Sequence, residues 1–491
     1  MEKKIFLDIA CFRRLYHNES MIEQVYSSKF SSRIAIDVLA ERSLLTISHN
    51  QIYMHDLIQE MGCEIVRQEN EEPGGRSRLC LRNDIFHVFT KNTGTEAIEG
   101  ILLHLYELEE ADWNLDAFSK MCELRLLYIH NLRLSVGPKF LPNALRFLSW
   151  SWYPSKSLPP CFQPDELTEL SLVHSNIDHL WNGKKCLGNL KSINLSYSIN
   201  LTRTPDFTDI PNLEKLVLEG CTNLVEVHPS IALLLRLRIW NLRNCKSIKS
   251  LPSEVHMEFL EEFDVIGCSK LKMIPKFMQK TKRLSKLSLS GTAVEKLPSI
   301  EHLSESLVEL DLSGVVRREQ PYSLFLQRVL SSSGLFPRKS PHPLIPVLAS
   351  LKHFSSLNEL NLNDCNLCEG EIPNDIGSLS SLERLELGGN NFVTLPASIH
   401  LLSKLTFIDV ENCKRLQQFP ALPATDKLEV RAKNCTSLQV FPDPSDVSRC
   451  RLWDFVLDCS NCFSCQDSSY FIYSVLKGLE VLSLSLSLSL S

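Results

Sequence analysis

One pattern governs what this chain can fold into. The spacing L-x-x-L-x-L, with conservative swaps, recurs from Leu124/Leu127/Ile129 through Leu167/Leu170/Leu172, Leu213/Leu216/Leu218, Leu260/Phe263/Val265 and Leu307/Leu310/Leu312 to Leu405/Ile408/Val410. A degenerate copy follows at Lys427/Val430/Ala432. Successive copies start 21 to 25 residues apart, except for one step of 50 between Leu307 and Leu357. Side chains alternate along a strand, so the last two apolar positions of each copy point the same way. One such unit cannot bury its apolar face; a stack of about 13 can. The predicted fold is therefore α/β, a leucine-rich-repeat solenoid. Many copies end in Leu-Pro or a variant (Leu251-Pro252, Leu297-Pro298, Leu395-Pro396), which suits an irregular return where no ladder donor is needed.

The period also accounts for cysteines. Of 17, six stand three residues beyond the last strand position: Cys221, Cys245, Cys268, Cys365, Cys413 and Cys435, with Asn390 in the same slot. A small side chain with a polar handle there can turn inward and bond neighbouring backbone. Cys459, Cys462 and Cys465 have metal-like spacing, but no distant matching pair supports ligation, and no metal is expected. The 50-residue step carries a Ser/Pro-rich insertion over 315–350, long enough to be a functional loop or an irregular repeat.

Residues 1–70 do not repeat. Ser31 to Leu45 has helical apolar spacing, and "LLTISHNQIYM" reads as two short strands around Ser48–Gln51. Asp56 is the expected N-cap of the next helix with Gln59 completing a capping box, and Leu57, Ile58, Met61 and Ile65 form its expected buried stripe. This order reads as a small winged-helix-like unit. Such units often bind DNA, but the first 45 residues carry seven Lys/Arg against six Asp/Glu and the whole chain is −6, so no nucleic-acid partner is expected. No apolar run is long enough for a membrane span, and none is expected. His55, just before a helix start, is a capping or core histidine or a phosphate contact; the residues alone favour the former.

"KKIFLDIACF", "YMHDLIQEMGCEIVRQE" and "PGGRSRLCLRNDIFHVFTKNTGTEAIEGI" resemble the end of the nucleotide-binding (NB-ARC) module of plant intracellular immune receptors of the Toll/interleukin-1-receptor type. "IPNLEKLVLEGCTNLVEVHPSI" resembles the repeats of that group. Met54-His55-Asp56 matches its Met-His-Asp motif, in which the histidine contacts bound ADP and holds the receptor off; the resemblance makes His55 a latch residue, Asp56 its support and Met54 a supporting neighbour. No G-x-x-x-x-G-K-[S/T] occurs, so no cofactor is expected for this chain, with ADP or ATP confined to full-length relatives. Cys80 stands where the group usually has tryptophan.

The expected organisation is a winged-helix-like end of the nucleotide-binding module over 1–70, a linker and solenoid cap over 71–123, repeats over 124–445, the start of a truncated post-repeat domain over 446–480 and a low-complexity Leu/Ser tail over 481–491. The resemblance implies a non-enzymatic sensor that recognises a pathogen effector or a guarded host protein. It also implies a cytoplasmic and nuclear location, and self-association only with domains outside this chain. The expected contact surface is the exposed strand positions, among them Lys191, Asn194, Lys215, Arg238, Asn241, Glu262, Asp264, Arg384 and Glu386. Two other classes fit a repeat solenoid, a ubiquitin-ligase substrate adaptor and an extracellular repeat receptor. The first lacks a helical ligase-binding start and the second an export signal.

Overall fold

A computed structural model of the 491-residue chain describes residues 1–15, 22, 25–26, 29–49, 51–278, 281–295, 297–315, 344–423, 425–440, 454–458 and 462. Most of the insertion, Cys450, Cys459, Cys465 and the Leu/Ser tail lie outside them. The chain divides into two units, Met1–Ile248 and Lys249–Ser491.

The first unit opens with helix α1 (Glu2–Cys11), whose residues from Ile5 onward are buried. Helix α2 (Lys29–Glu41), the antiparallel hairpin β1 (Thr46–Ser48) and β2 (Gln51–Tyr53), and helix α3 (Asp56–Arg67) follow, as the sequence predicts. The stripe of α3 meets expectation in part: Ile58 and Ile65 are half-buried and pack against the core, but Leu57 and Met61 do not. Its buried residues are Gly62 and Val66, while Leu57 is 70 % exposed and Met61 46 %. The reason is close docking on α1: a Cβ at Gly62 would stand 2.5 Å from the Ala10 Cβ and 3.3 Å from the Phe6 ring. Only glycine admits that approach, and it rotates the apolar face away from the arc that hydrophobicity marks.

Strand β3 (Arg78–Leu79), helix α4 (Arg82–Lys91) and the long strand β4 (Gly100–Ala111) lead into the solenoid. β4 pairs in parallel with Leu126–Leu134, the strand of the first counted leucine copy, so one further copy, Ile98/Ile101/Leu103, precedes the thirteen. From there each L-x-L forms a short strand in parallel register with the next, ending in this unit at Ile239–Asn241. The winged-helix core is continuous with these first turns, since Leu102, Leu126 and Phe147 join the cluster that contains Ile5, Phe6, Ile9 and Phe12.

In the second unit, strands from Glu262–Asp264 to Lys427–Arg431 form a parallel ladder, extended by Asp454–Asp458. Leu310 pairs directly with Leu360, so the ladder passes across the 50-residue step. With the extra turns at its ends, the solenoid has about 14 turns rather than about 13. The inward leucines are fully buried, for example Leu170, Leu218, Leu289 and Leu387. The cysteine slot behaves as the spacing predicts. Cys221, Cys245, Cys413 and Cys435 donate to the carbonyls of Leu195, Leu218, Leu387 and Val410 in the preceding turn at 3.0–3.2 Å, and Asn390 donates to Leu362. Cys462 makes the same bond to Ala432.

Candidate functional site

His55, not Asp56, caps helix α3. Its backbone is extended (φ −64°, ψ 141°), and its Nδ1 accepts from the Leu57 N–H at 3.2 Å. Asp56 is the first helical residue and pairs with Arg13 Nη1 at 2.8 Å; Gln59, the expected second half of a capping box, is also taken by Arg13. Met54 is buried beneath them and His55 is exposed to solvent. His55 is therefore not a core histidine. A capped helix N-terminus with an exposed imidazole suits an anion chemically, because free amides and the dipole both attract negative charge.

Behind this corner lies a buried ionic cluster that sequence reading missed. Asp8, 1 % exposed in the middle of α1, accepts from Arg78 Nε at 2.8 Å and from Arg125 Nη2 at 2.8 and 2.9 Å. The Tyr26 hydroxyl donates to its other oxygen. Burial, then the Asp8 charge, pushes the Tyr26 phenol up, which keeps it a neutral donor. Glu99 sits 3.5–3.6 Å from both guanidinium groups and takes a 2.8 Å bond from Lys4. The cluster fastens α1 to β3 and to the entrance of the first leucine strand.

The exposed strand positions fall into two kinds. Lys215 is open to solvent, while Arg384 bonds Glu386 at 2.9 Å and lies 3.9 Å over the Phe407 ring. Lys191 and Glu262 are half-buried, and Arg238 is exposed. Asn194 and Asn241 are half-buried and Asp264, expected to be exposed, is buried (3 % exposed); each side-chain oxygen accepts from the backbone N–H two residues on, at 2.9–3.0 Å, which draws it in against the strand end. Asp311, Asn361 and Asp409 repeat this. These Asx turns end six of the strands, and the Asn/Asp one place before the last apolar strand position was their signal.

One column of the first unit was also missed. Two residues past the last strand position, the chain must take φ > 0 so that its N–H can bond the next turn; most copies use Gly, Asn or Asp. Three use Trp152, His174 and Tyr197, at φ 65°, 57° and 60°. Their rings stack at 4.9 and 5.0 Å with interplanar angles of 10° and 16°. Arg133 lies 4.8 Å over Trp152 at one end. At the other, a Cβ at Gly220 (φ +71°) would meet the Tyr197 ring at 2.5 Å. Bulky residues on left-handed backbone are strained by about 1–3 kcal/mol each and persist where surroundings over-determine them, commonly at functional sites.

Beside this column His104 stacks on His130 at 4.8 Å, in register on adjacent strands. Burial first holds both below their ordinary value of 6.5, with Arg14 and His130 adding to His104 and His174 adding to His130. Both are neutral in the fold. Their contribution to stability is therefore complete above the unfolded value and lost as pH falls through the lowered folded one. The melting temperature of the first unit is expected to fall between about pH 7 and about pH 5, and the double substitution His104→Phe/His130→Phe to flatten that slope; an unchanged slope refutes the assignment.

Stacked parallel strands behind a winged-helix unit define a protein of the leucine-rich-repeat fold class. The family model "Disease resistance protein Roq1-like, winged-helix domain" matches residues 1–70. TMV resistance protein N of Nicotiana glutinosa is 34 % identical over 473 residues, covering 86 % of this chain and 41 % of that protein. Disease resistance protein RPP2A of Arabidopsis thaliana is 39 % identical over 332 residues, 66 % of this chain and 25 % of that one. The chain is thus a homologue of the plant disease-resistance proteins of the Toll/interleukin-1-receptor, N-like type, and it spans less than half the length of these relatives. Among solved structures, a TDR receptor shares 18 % identity over 74 % of this chain and 69 % of its own, with a TM-score of 0.47. A Leptospira interrogans leucine-rich-repeat protein shares 19 % over 78 % and 93 %, with a TM-score of 0.41. Among the described residues no helix is long and apolar enough to cross a membrane.

Proposed function

We propose that this chain is the sensor and regulatory part of an intracellular plant immune receptor, recognising a pathogen effector or a guarded host protein through its repeat surface. The observation that supports this best is the Trp152–His174–Tyr197 column, which holds strained backbone in a homologue of disease-resistance proteins. Stacked rings and a capping arginine are the side chains that dominate protein interfaces. The mixed charges of Lys191, Lys215, Arg238, Glu262, Arg384 and Glu386 fit a protein surface with matching patches. Residues 1–70 act as the end of a nucleotide-binding module in which His55, supported by Asp56 and Met54, contacts ADP phosphate when the phosphate-loop subdomain is present. Effector contact on the repeats then weakens packing against that module and frees the nucleotide.

The test exchanges the corresponding part of TMV resistance protein N for this chain and reads the defence response in leaf tissue. His55→Ala in the exchanged receptor is expected to signal without any effector, and a silent variant removes the latch assignment. The 491-residue chain by itself is expected to show no stoichiometric ADP or ATP binding by calorimetry. Stoichiometric binding would mean that it completes the phosphate site alone.

A further inference from the structure

We propose that Cys11, Cys63 and Cys80 form a three-thiolate site for a soft, low-coordinate cation, Cu(I) foremost, that clamps the winged helix to the solenoid entrance. Cys11 is the last residue of α1, Cys63 lies on the α1-facing side of α3 beside Gly62, and Cys80 directly follows β3. Three elements distant in sequence thus deliver three sulfurs to one point, all within 4.8 Å of one another. Three sulfurs each about 2.3 Å from a central ion in a trigonal plane stand about 4 Å apart, so the cluster needs only a small contraction to close on one.

The choice of ion follows from the donor set. No His, Asp or Glu completes the cluster among the described residues. Thiolates suit Cu(I), zinc and iron–sulfur clusters alike, but structural zinc and clusters take four protein ligands, so three sulfurs without a fourth donor point to Cu(I). These sulfurs also differ from the ladder cysteines. Cys221 and Cys245 reach a carbonyl at 3.1 and 3.0 Å, but Cys63 reaches the Ala10 carbonyl only at 3.7 Å, and the thiols of Cys11, Cys63 and Cys80 hydrogen-bond one another. Cys11 is buried while Cys63 and Cys80 are half-buried, which leaves an entry path from solvent. On binding, three S–H bonds break and their three protons pass to solvent as three S–Cu bonds form, with no change of oxidation state on either side. Loading ties α1, α3 and β3 together at the same junction as the Asp8 cluster. Such a site stands or falls independently of any receptor function.

The experiment titrates the purified 491-residue chain, reduced with a phosphine under anaerobic conditions, with Cu(I) against bicinchoninate as competitor. One chelator-resistant equivalent with a thiolate-to-copper band in the ultraviolet is expected. Cys63→Ser and Cys80→Ser are each expected to weaken it at least 10-fold, while Cys122→Ser and Cys221→Ser retain it. No resistant copper, or equal retention by the Cys63 and Cys80 variants, overturns the proposal. X-ray absorption is read on the loaded parent chain, so its outcome does not depend on how the variants fold. Three sulfur scatterers near 2.3 Å are expected, and a shell with fewer sulfurs refutes the site.

Discussion

Asp8→Asn is expected to destabilise the first unit by about 3–5 kcal/mol, the range seen when one partner of a buried ion cluster is removed. The carboxylate accepts directly from Arg78 and Arg125, whereas Glu99 stands 3.5–3.6 Å from them. An amide of the same shape keeps the packing and one acceptor but leaves two guanidinium charges against a neutral group. The effect is local. Hydrogen exchange and limited proteolysis of Met1–Ile248 should accelerate while Lys249–Ser491 keeps its protection. A double-mutant cycle with Arg78→Gln separates this from a general loss of helix α1. Strong coupling is expected, and additive losses would show that Asp8 and Arg78 do not act as a pair.

That cluster also shows where sequence reading stops. The solenoid was legible because thirteen copies of one apolar spacing leave a single way to bury their leucines, and within each unit successive copies became strands in parallel register. The winged helix was legible through helical spacing and a hairpin turn. β4 was missed although its copy, Ile98/Ile101/Leu103, keeps the spacing: isoleucine replaces leucine at its first two positions, and the overlapping Leu102/Leu105 and Leu105/Leu108 pairs blur the frame that pairing with Leu126–Leu134 fixes. The cap of α3 went to His55 rather than Asp56, since local propensity favours Asp but Arg13, 43 residues away, draws that carboxylate. The buried face of α3 was set by Gly62, whose contribution is the absence of a side chain and so leaves no hydrophobic mark. Of the candidate contact residues, Asn194, Asn241 and Asp264 carry a backbone role that a surface reading cannot separate from recognition. Asp8 with Arg125, and Cys11 with Cys63 and Cys80, meet only after the winged helix docks on the first turns; no periodicity encodes such pairings.

The aromatic column yields the other large effect, and the sign of its stability term makes it diagnostic. Replacing Trp152, His174 and Tyr197 together by Asn places at each left-handed position a residue that tolerates it, which relieves about 1–3 kcal/mol of strain apiece. Against this stand two lost ring stacks of about 0.5–1.5 kcal/mol each and the contact of Arg133 with Trp152. The relief, about 3–9 kcal/mol in all, exceeds the loss of about 1.5–4 kcal/mol, so the triple variant should melt at or above the parent chain. Binding should respond very differently. Central aromatic anchors of protein interfaces commonly carry about 2 kcal/mol or more each, and about 1.4 kcal/mol is tenfold in affinity. A receptor carrying the triple variant is therefore expected to accumulate normally and to lose at least 100-fold in affinity for its protein partner, with its defence response silenced. Gly220→Ala supplies an independent perturbation, since its Cβ would strike the Tyr197 ring and displace the end of the stack while leaving all three rings in the chain. If the triple variant still responds like the parent, the column serves folding alone and recognition lies elsewhere on the repeats. If it instead unfolds, strained residues were holding the turns together, and the reading of their backbone as tension kept for function is wrong.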